Sequence, residues 1–455
     1  MIHPSGRGNA EPAYSEGEAA MKKIIAGLLV ISVLLLCGGA AAEQSEGPGC
    51  TLDRVVILSR HNIRSPLSGS GSLLGEITPH EWFRWTSNPS ELSLRGGILE
   101  TMMGQYFRLW LEDAGLFPEN YRPEEGAVRF YANAKQRTLA TARYFSAGLL
   151  PAANVLIETH APYDTMDPVF EPSLNFVTED YILDVLAQIA ENGGDSGMDG
   201  YLEKLDEPIA LLMETADIEQ SEAYQSGKYG DLTTGETVIT LEEGSEPKMT
   251  GPIKTATSVA DAMTFQYYEE KDRTKAAFGH ELTEADWQLL HSIVDTYTDM
   301  LFCSPLVSVN AAHPLLQEIR SEMAAEGRKF TFLCGHDSNV ASVLAAMNAE
   351  EYLLPDAIEQ KTPIGVKLVF ERWITPEGEA FWKTSLVYQS VEQLRGMIPL
   401  SLENQPVKFT VHFEGTEPDE NGMIPEADLY AVLDRAIDAY DELLEQYETA
   451  EEEAA

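Results

Sequence analysis

Short runs of consecutive apolar residues, each closed by a polar cluster, recur in the first and last thirds of this chain. Arg54 to Ser59, with Val55-Val56-Ile57-Leu58 at its centre, reads as a strand buried on both faces. Arg60-His61-Asn62-Ile63-Arg64-Ser65-Pro66 follows it directly. Leu94 to Leu111 has helical spacing, with Ile98, Met102 and Leu109 near one face. Val128 to Ala132 predicts a second strand, leading through Asn133 into a helix that carries Arg137 and runs to Gly148. Val155 to Glu158 predicts a short third strand. The pattern is helical from Asp180 to Met213, broken by the turn-rich Asn192-Gly193-Gly194-Asp195-Ser196-Gly197. It is polar and irregular from Gln220 to Thr250, then helical again from Ser258 to Glu270.

A second block of strands and helices begins near Glu284. Lys329 to Cys334 predicts a buried strand, and Asp337 or Ser338 is placed to cap the helix after it, whose Val340, Val343, Leu344 and Met347 share a face. Val366 to Phe370 and Thr384 to Tyr388 predict later strands. Ala427 to Glu445 predicts an amphipathic helix with Leu429, Leu433, Ile437, Tyr440 and Leu444 as its stripe, ahead of a solvated acidic tail over 446–455. The fold class expected is α/β: one open sheet with helices on both faces, built discontinuously from 51–164 and 285–445, with a smaller α-helical domain inserted over 165–284. Open sheets bind ligands beyond the carboxyl ends of their strands. Three polar clusters fall there: Arg60/His61/Arg64, Arg137, and His336/Asp337.

Composition narrows the chemistry. A length of 455 residues and 44% hydrophobic content give an enzyme-sized folded body. A net charge of −43 excludes nucleic acid as a partner and repels anions at long range. A phosphate site in this chain must therefore work through a local cluster of arginines. Lys22 and Lys23, the apolar run Ile24 to Leu36 and the small residues through Ala42 read as an export signal over 21–42, with 1–20 as an upstream extension before a second start at Met21. Cys37 is a weak candidate for lipid attachment, because Leu36 is bulky where a small residue is expected. No later run is long enough for a membrane span. Cys50, Cys303 and Cys334 are too few, and odd in number, for a disulfide framework; Cys334 reads as a small buried hydrophobe.

His61 is a neutral-range nucleophile between two guanidiniums whose forked donors match a phosphate dianion. The second element is Gly335-His336-Asp337-Ser338-Asn339. A His-Asp pair alone is common, and its ordinary reading is a helix cap. After a buried strand it supplies what cleavage of a phosphomonoester needs: Asp337 to protonate the poor leaving oxygen, and His336 with Arg60, Arg64 and Arg137 to hold phosphoryl oxygens. His61 would attack phosphorus, and water activated by Asp337 would release phosphate. Neither metal nor other cofactor is required, since the arginines and His336 do a cation's work. Arg137 is the weakest of these by spacing, an exposed helical arginine being the ordinary alternative.

These residues resemble the histidine acid phosphatases. The family's R-H-G-x-R-x-P appears with Asn62 in place of the glycine, and its H-D pair as His336-Asp337. The R-H-N variant is similar to the glucose-1-phosphatase branch. So are Gly71-Ser72, Thr78-Pro79, Gly96-Gly97, Gln136-Arg137-Thr138, Thr165-Met166-Asp167-Pro168, Gln266-Tyr267-Tyr268-Glu269, Thr362-Pro363-Ile364-Gly365, Phe370-Glu371-Arg372-Trp373 and Tyr388-Gln389-Ser390, over about 52–430. The resemblance implies a phosphoglycerate-mutase-like α/β domain with a smaller helical domain, in the periplasm. It implies His61 as nucleophile, Asp337 as proton donor, and Arg60, Arg64, Arg137 and His336 on phosphate. The substrate it implies is glucose 1-phosphate or a similar sugar phosphate, with slower attack on phytate. Glu246 is similar to an acidic pocket-mouth residue of this branch, where it would disfavour a highly anionic substrate; a solvated loop glutamate is the ordinary alternative. Most of the family's disulfide cysteines are missing. A broad phytase and a non-catalytic phosphate-binding protein are the competing readings.

Overall fold

A computed structural model describes residues 49–67 and 72–454, with side chains as far as Tyr447. The upstream extension, the export signal, Cys37 and Gly71 lie outside the described residues.

β1 (Thr51–Arg60) is the middle of the molecule. It pairs in parallel with β6 (Phe330–Gly335) and antiparallel with β7 (Lys367–Ile374). With β2 (Val128–Ala132), β3 (Ile157–Glu158), β8 (Ala380–Tyr388), β9 (Val407–Thr410) and β10 (Met423–Pro425), these form one sheet in the order β10-β8-β7-β1-β6-β2-β3, with β9 also on β8. β1, β6, β2 and β3 run parallel; β7 to β10 are antiparallel additions. The split follows from connection length. β7 and β8 are joined by a short turn and must reverse, whereas β1 reaches β6 through most of the chain. β9 and β10 are only four and three residues long, and the apolar pattern did not mark them.

The central strands have no polar face because both faces are covered. Val55 and Ile57 enter one core with Phe107, Phe130, Phe145 and Phe332; Val56 and Leu58 enter another with Leu316, Leu333, Val343 and Leu433. At about 2 kcal/mol for each buried aliphatic or aromatic side chain, these two cores hold the sheet flat against its helices. The first core is closed by α1 (Leu94–Asp113) and α2 (Gln136–Leu149). The buried face of α1 is Leu99, Met103, Tyr106, Phe107 and Trp110, whereas Ile98 is exposed and Met102 and Leu109 are half-buried. The expected stripe was therefore rotated by one residue, about 100°. The aromatic positions decide the face: Phe107 meets Phe145 of α2, which stacks on Phe330 and Phe332 of the sheet.

A third core joins α3 (Glu179–Asn192), α4 (Asp199–Thr215), α5 (Pro252–Glu269) and α6 (Glu284–Thr298) through Tyr181, Ile209, Val259 and Trp287. α5 starts six residues before its expected onset because Pro252 supplies a preset first turn. The stretch read as irregular contains a hairpin, β4 (Val238–Thr240) with β5 (Lys248–Thr250), and Glu246 lies in its loop. α7 (Pro305–Ala324), α8 (Asp337–Ala346) and α9 (Glu426–Ala454) cover the second core, and α9 continues through Glu451–Glu453. No helix of the described residues is long and apolar enough to cross a membrane.

Candidate functional site

Sheet register assembles the site. Arg60 is opposite Gly335 across β1 and β6, and Ala132 is opposite Cys334 across β2 and β6. The next residue of each strand is thus His61, His336 or Asn133, three side chains side by side at one sheet end. His61 N–H donates to the Gly335 carbonyl (3.1 Å), and Asn133 N–H to that of Cys334 (2.9 Å). His336, not Asp337 or Ser338, is the N-cap of α8, with Asn339 Oδ1 accepting its backbone N–H at 2.9 Å. Asn339 can fold back only because residue 335 is glycine: a Cβ there would lie 2.3 Å from its Oδ1. Asp337 becomes the first helical residue, where the positive dipole end favours a carboxylate.

His61 is 2% exposed, and its Nδ1 lies 2.8 Å from the carbonyl oxygen of Asn62. A carbonyl can only accept, so Nδ1 carries the proton and Nε2 is left with its lone pair. Burial, then Arg137, Arg64, His336 and Arg60, holds the ring well below its ordinary pKa of 6.5. It is an unprotonated imidazole even in mild acid. The His336 ring stands edge-on to it, with centroids 5.6 Å apart.

Arg60 Nη2 lies 3.4 Å from Asp337 Oδ2, and its Nη1 donates to the Thr362 carbonyl. Burial alone would raise the Asp337 pKa, but Arg60, Arg64 and His336 outweigh it and lower it to about 2. Arg64 Nη2 is 3.1 Å from Asp261 Oδ2, and its guanidinium lies over the Phe265 ring at 4.4 Å. Arg137 Nη2 lies 3.4 Å from His336 Nδ1; burial and Arg64 lower its pKa to about 10, which still leaves it a cation. Burial and Arg137 also push His336 well below 6.5. The sequence cast His336 as a positive charge, but its surroundings hold it as a neutral donor.

His61, Arg64, Arg137, His336, Asp337 and Glu246 line one cavity of about 250 Å³, and Arg60 reaches it through Asp337. All seven residues singled out from sequence therefore meet. Glu246 is solvent-accessible at the cavity edge, and partial burial, Glu171 and Asp337 raise its pKa. Lys254, Tyr297 and Asp261 line the same cavity and escaped the sequence reading. Lys254 Nζ donates to the Tyr297 hydroxyl at 3.3 Å, and its position one helical turn before Ser258 on α5 was the available signal.

A second set that escaped it lies under the loop. Asn62 Nδ2 donates to Glu100 Oε2 (2.9 Å), and Lys367 Nζ pairs with Glu100 Oε1 (2.9 Å); both charged side chains are fully buried. Lys367 also donates to the Gly365 carbonyl at 2.7 Å. Gly365 has φ +69°, and a Cβ there would meet Asn62 Nδ2 at 2.6 Å. A charged pair whose members lie 267 residues apart, one in a helix and one in a strand, leaves no periodic trace.

The family model for the histidine phosphatase superfamily (branch 2) matches residues 51–388. The chain is 35% identical over 411 residues to the glucose-1-phosphatase of Salmonella typhimurium, covering 89% of this chain and 97% of that protein. It is 34% identical over 423 residues to the glucose-1-phosphatase of Providencia rettgeri, covering 89% and 99%. Among solved structures, the phytase from Citrobacter braakii matches with a TM-score of 0.75 and 26% identity, over 86% of this chain and 98% of that one.

Proposed function

This chain belongs to the histidine phosphatase superfamily (branch 2) and is a phosphomonoester hydrolase, and from that premise we propose that it works through a covalent phosphohistidine on His61, with glucose 1-phosphate or a similar sugar phosphate as substrate. The observation that carries the mechanism is the Nδ1–H to Asn62 hydrogen bond, which leaves Nε2 of a neutral imidazole beside Arg60, Arg64, Arg137 and His336. Their donors hold the phosphoryl oxygens while a bond forms between Nε2 and phosphorus and the ester bond breaks. The leaving oxygen takes its proton from Asp337, which acquires it when the bound phosphate offsets the field of Arg60 and Arg64. Water then attacks phosphorus, giving its proton to Asp337 and freeing His61.

The sugar-phosphate reading is supported by the two glucose-1-phosphatases at 34 and 35% identity and by Glu246 at the cavity edge. Lys254 in the same cavity favours the alternative, a phytase, because it offers a cation to a second phosphate. The domain reading that goes with this is a phosphatase body from 51–164 and 285–445 carrying a helical insert over 165–284. The lysines and apolar run of 21–42 support an exported, periplasmic enzyme.

Phosphate release at acidic pH from glucose 1-phosphate and from phytate, with a chelator present, tests the proposal in wild type and His61→Ala. Release that survives chelator and is lost in His61→Ala is expected, faster from glucose 1-phosphate. Release that persists in His61→Ala sinks the phosphohistidine, and faster release from phytate sinks the sugar-phosphate assignment.

A further inference from the structure

The His336 ring is held between two side chains that can both donate. Its Nε2 lies 2.7 Å from Asn133 Nδ2, and its Nδ1 lies 3.4 Å from Nη2 of Arg137. A neutral imidazole has one N–H, and it cannot sit on a nitrogen pressed at 2.7 Å against another donor. The amide of Asn133 cannot turn round to relieve this. Its Oδ1 accepts the backbone N–H of Asp167 at 3.0 Å, and that group can only donate. Asn133 is fully buried, and its own backbone is pinned on both sides: N–H to the Cys334 carbonyl at 2.9 Å, carbonyl to the Thr138 hydroxyl at 2.7 Å. Asp167 is anchored in turn, its carboxylate accepting the Tyr131 hydroxyl (2.7 Å) and the His160 N–H (2.8 Å).

We propose that Asn133 is a positioning residue that holds His336 as the Nδ1–H tautomer, so that the ring meets the phosphoryl group as a neutral donor beside Arg137. The proposal rests on the reading of His336 as a phosphate ligand. Nδ1–H and the Arg137 guanidinium are two neighbouring donors with no acceptor between them, and one phosphoryl oxygen satisfies both. The tautomer also divides the labour of the site. A His336 locked neutral keeps its proton through the cycle, so Asp337 alone carries protons, to the leaving oxygen and from the attacking water. An imidazolium at that place would compete with Asp337 as acid and would hold the product phosphate more tightly.

Long-range proton–nitrogen spectra of enzyme labelled with ¹⁵N-histidine read the tautomer directly, with the His336 signals assigned by their absence in His336→Asn. The expected wild-type spectrum has Nδ1 protonated and Nε2 bare, unchanged between about pH 5 and 8. Asn133→Asp keeps an acceptor for the Asp167 N–H but sets a carboxylate oxygen against Nε2. It is expected to protonate Nε2 and to lower kcat by about 10²-fold with KM nearly unchanged. A role confined to holding the Asp167 loop would not move the tautomer. A wild-type ring protonated on Nε2 overturns the proposal whatever the variant does, and so does a wild-type kcat in Asn133→Asp. Undiminished phosphate release from His336→Asn overturns the ligand reading beneath it, and that outcome appears in the assay, not in the spectrum.

Discussion

Asp337 Oδ2 stands 3.4 Å from Nη2 of Arg60, so the proposed proton donor is an ion-paired carboxylate. Burial raises its pKa, and Arg60, Arg64 and His336 together bring it down to about 2. A depressed carboxyl pKa contributes stability above the ordinary value of 3.8 that is lost as pH falls through about 2. Burial, with Arg137 and the neighbouring cations, holds His61 well below its ordinary 6.5 as well. On the proposed mechanism the nucleophile therefore needs no deprotonation in mild acid, and the proton enters with the monoanionic substrate. For glucose 1-phosphate, kcat/KM is expected to be level through mild acid and to fall once pH passes the second phosphate pKa, about 6. A pH–rate profile checks this, and a maximum above neutrality would contradict it.

Asp337→Asn keeps the shape of the site and removes the transferable proton. The expected loss in kcat is about 10²-fold or more for a sugar phosphate, whose alkoxide is a poor leaving group. For p-nitrophenyl phosphate, which leaves without protonation, the loss should be much smaller. Equal losses on both substrates would show that Asp337 acts by charge or position alone.

The buried Glu100–Lys367 pair supports Asn62 from below. Glu100→Gln or Lys367→Met alone leaves a charge without its partner and should cost about 3–5 kcal/mol of unfolding free energy. The double variant should recover most of that loss, because no unpaired charge remains. Its kcat should stay below wild type, since Asn62 has lost a charged acceptor. Denaturant unfolding of the four proteins closes the cycle, and additive losses would dismiss the pair as a unit.

Glu246→Gln tests the acidic edge of the cavity. The carboxylate repels a polyanion more than a monoester, so its removal should raise kcat/KM for phytate relative to glucose 1-phosphate by about tenfold, roughly 1.4 kcal/mol of repulsion at short range. An unchanged ratio would return Glu246 to the status of a solvated loop residue.

A net charge of −43 opposes the approach of any phosphate ester before Arg64 and Arg137 can hold it. Shortening the Debye length from about 30 Å to about 8 Å with sodium chloride should therefore raise kcat/KM several-fold and leave kcat unchanged. A fall in kcat/KM on adding salt would mean that the arginine cluster dominates the long-range field.

What the sequence disclosed follows from how each feature is encoded. Strands buried on both faces announce themselves as unbroken apolar runs, so β1, β2, β6 and the loops beyond them were visible, and with them Arg60, His61, Arg64, His336 and Asp337. Arg137 was visible because it follows β2 into α2. Features that depend on two distant segments were not. Asn133 could be noticed only as a connector, because its meaning lies in the 2.7 Å contact with His336 across the sheet. Glu100 and Lys367 are two among several charged residues of α1 and β7, and only the fold shows that each is the reason the other is tolerated. Lys254 lies before the helical pattern that begins at Ser258, and it gains a meaning only when α5 is set against the cavity.

The parallel pairing of β1 with β6 has a consequence for the life history of the molecule. His61 directly follows the opening strand and Asp337 opens the helix after the sixth, so most of the chain must exist before the two can be neighbours. A polypeptide ending before Phe330 has an imidazole and arginines but no acid and no cap to hold them. Pairing over such a span is slow, since a long loop must close before any contact repays it. On the proposed roles, catalytic competence therefore arrives all at once, with the final third of the chain, and a growing or clipped molecule stays chemically silent.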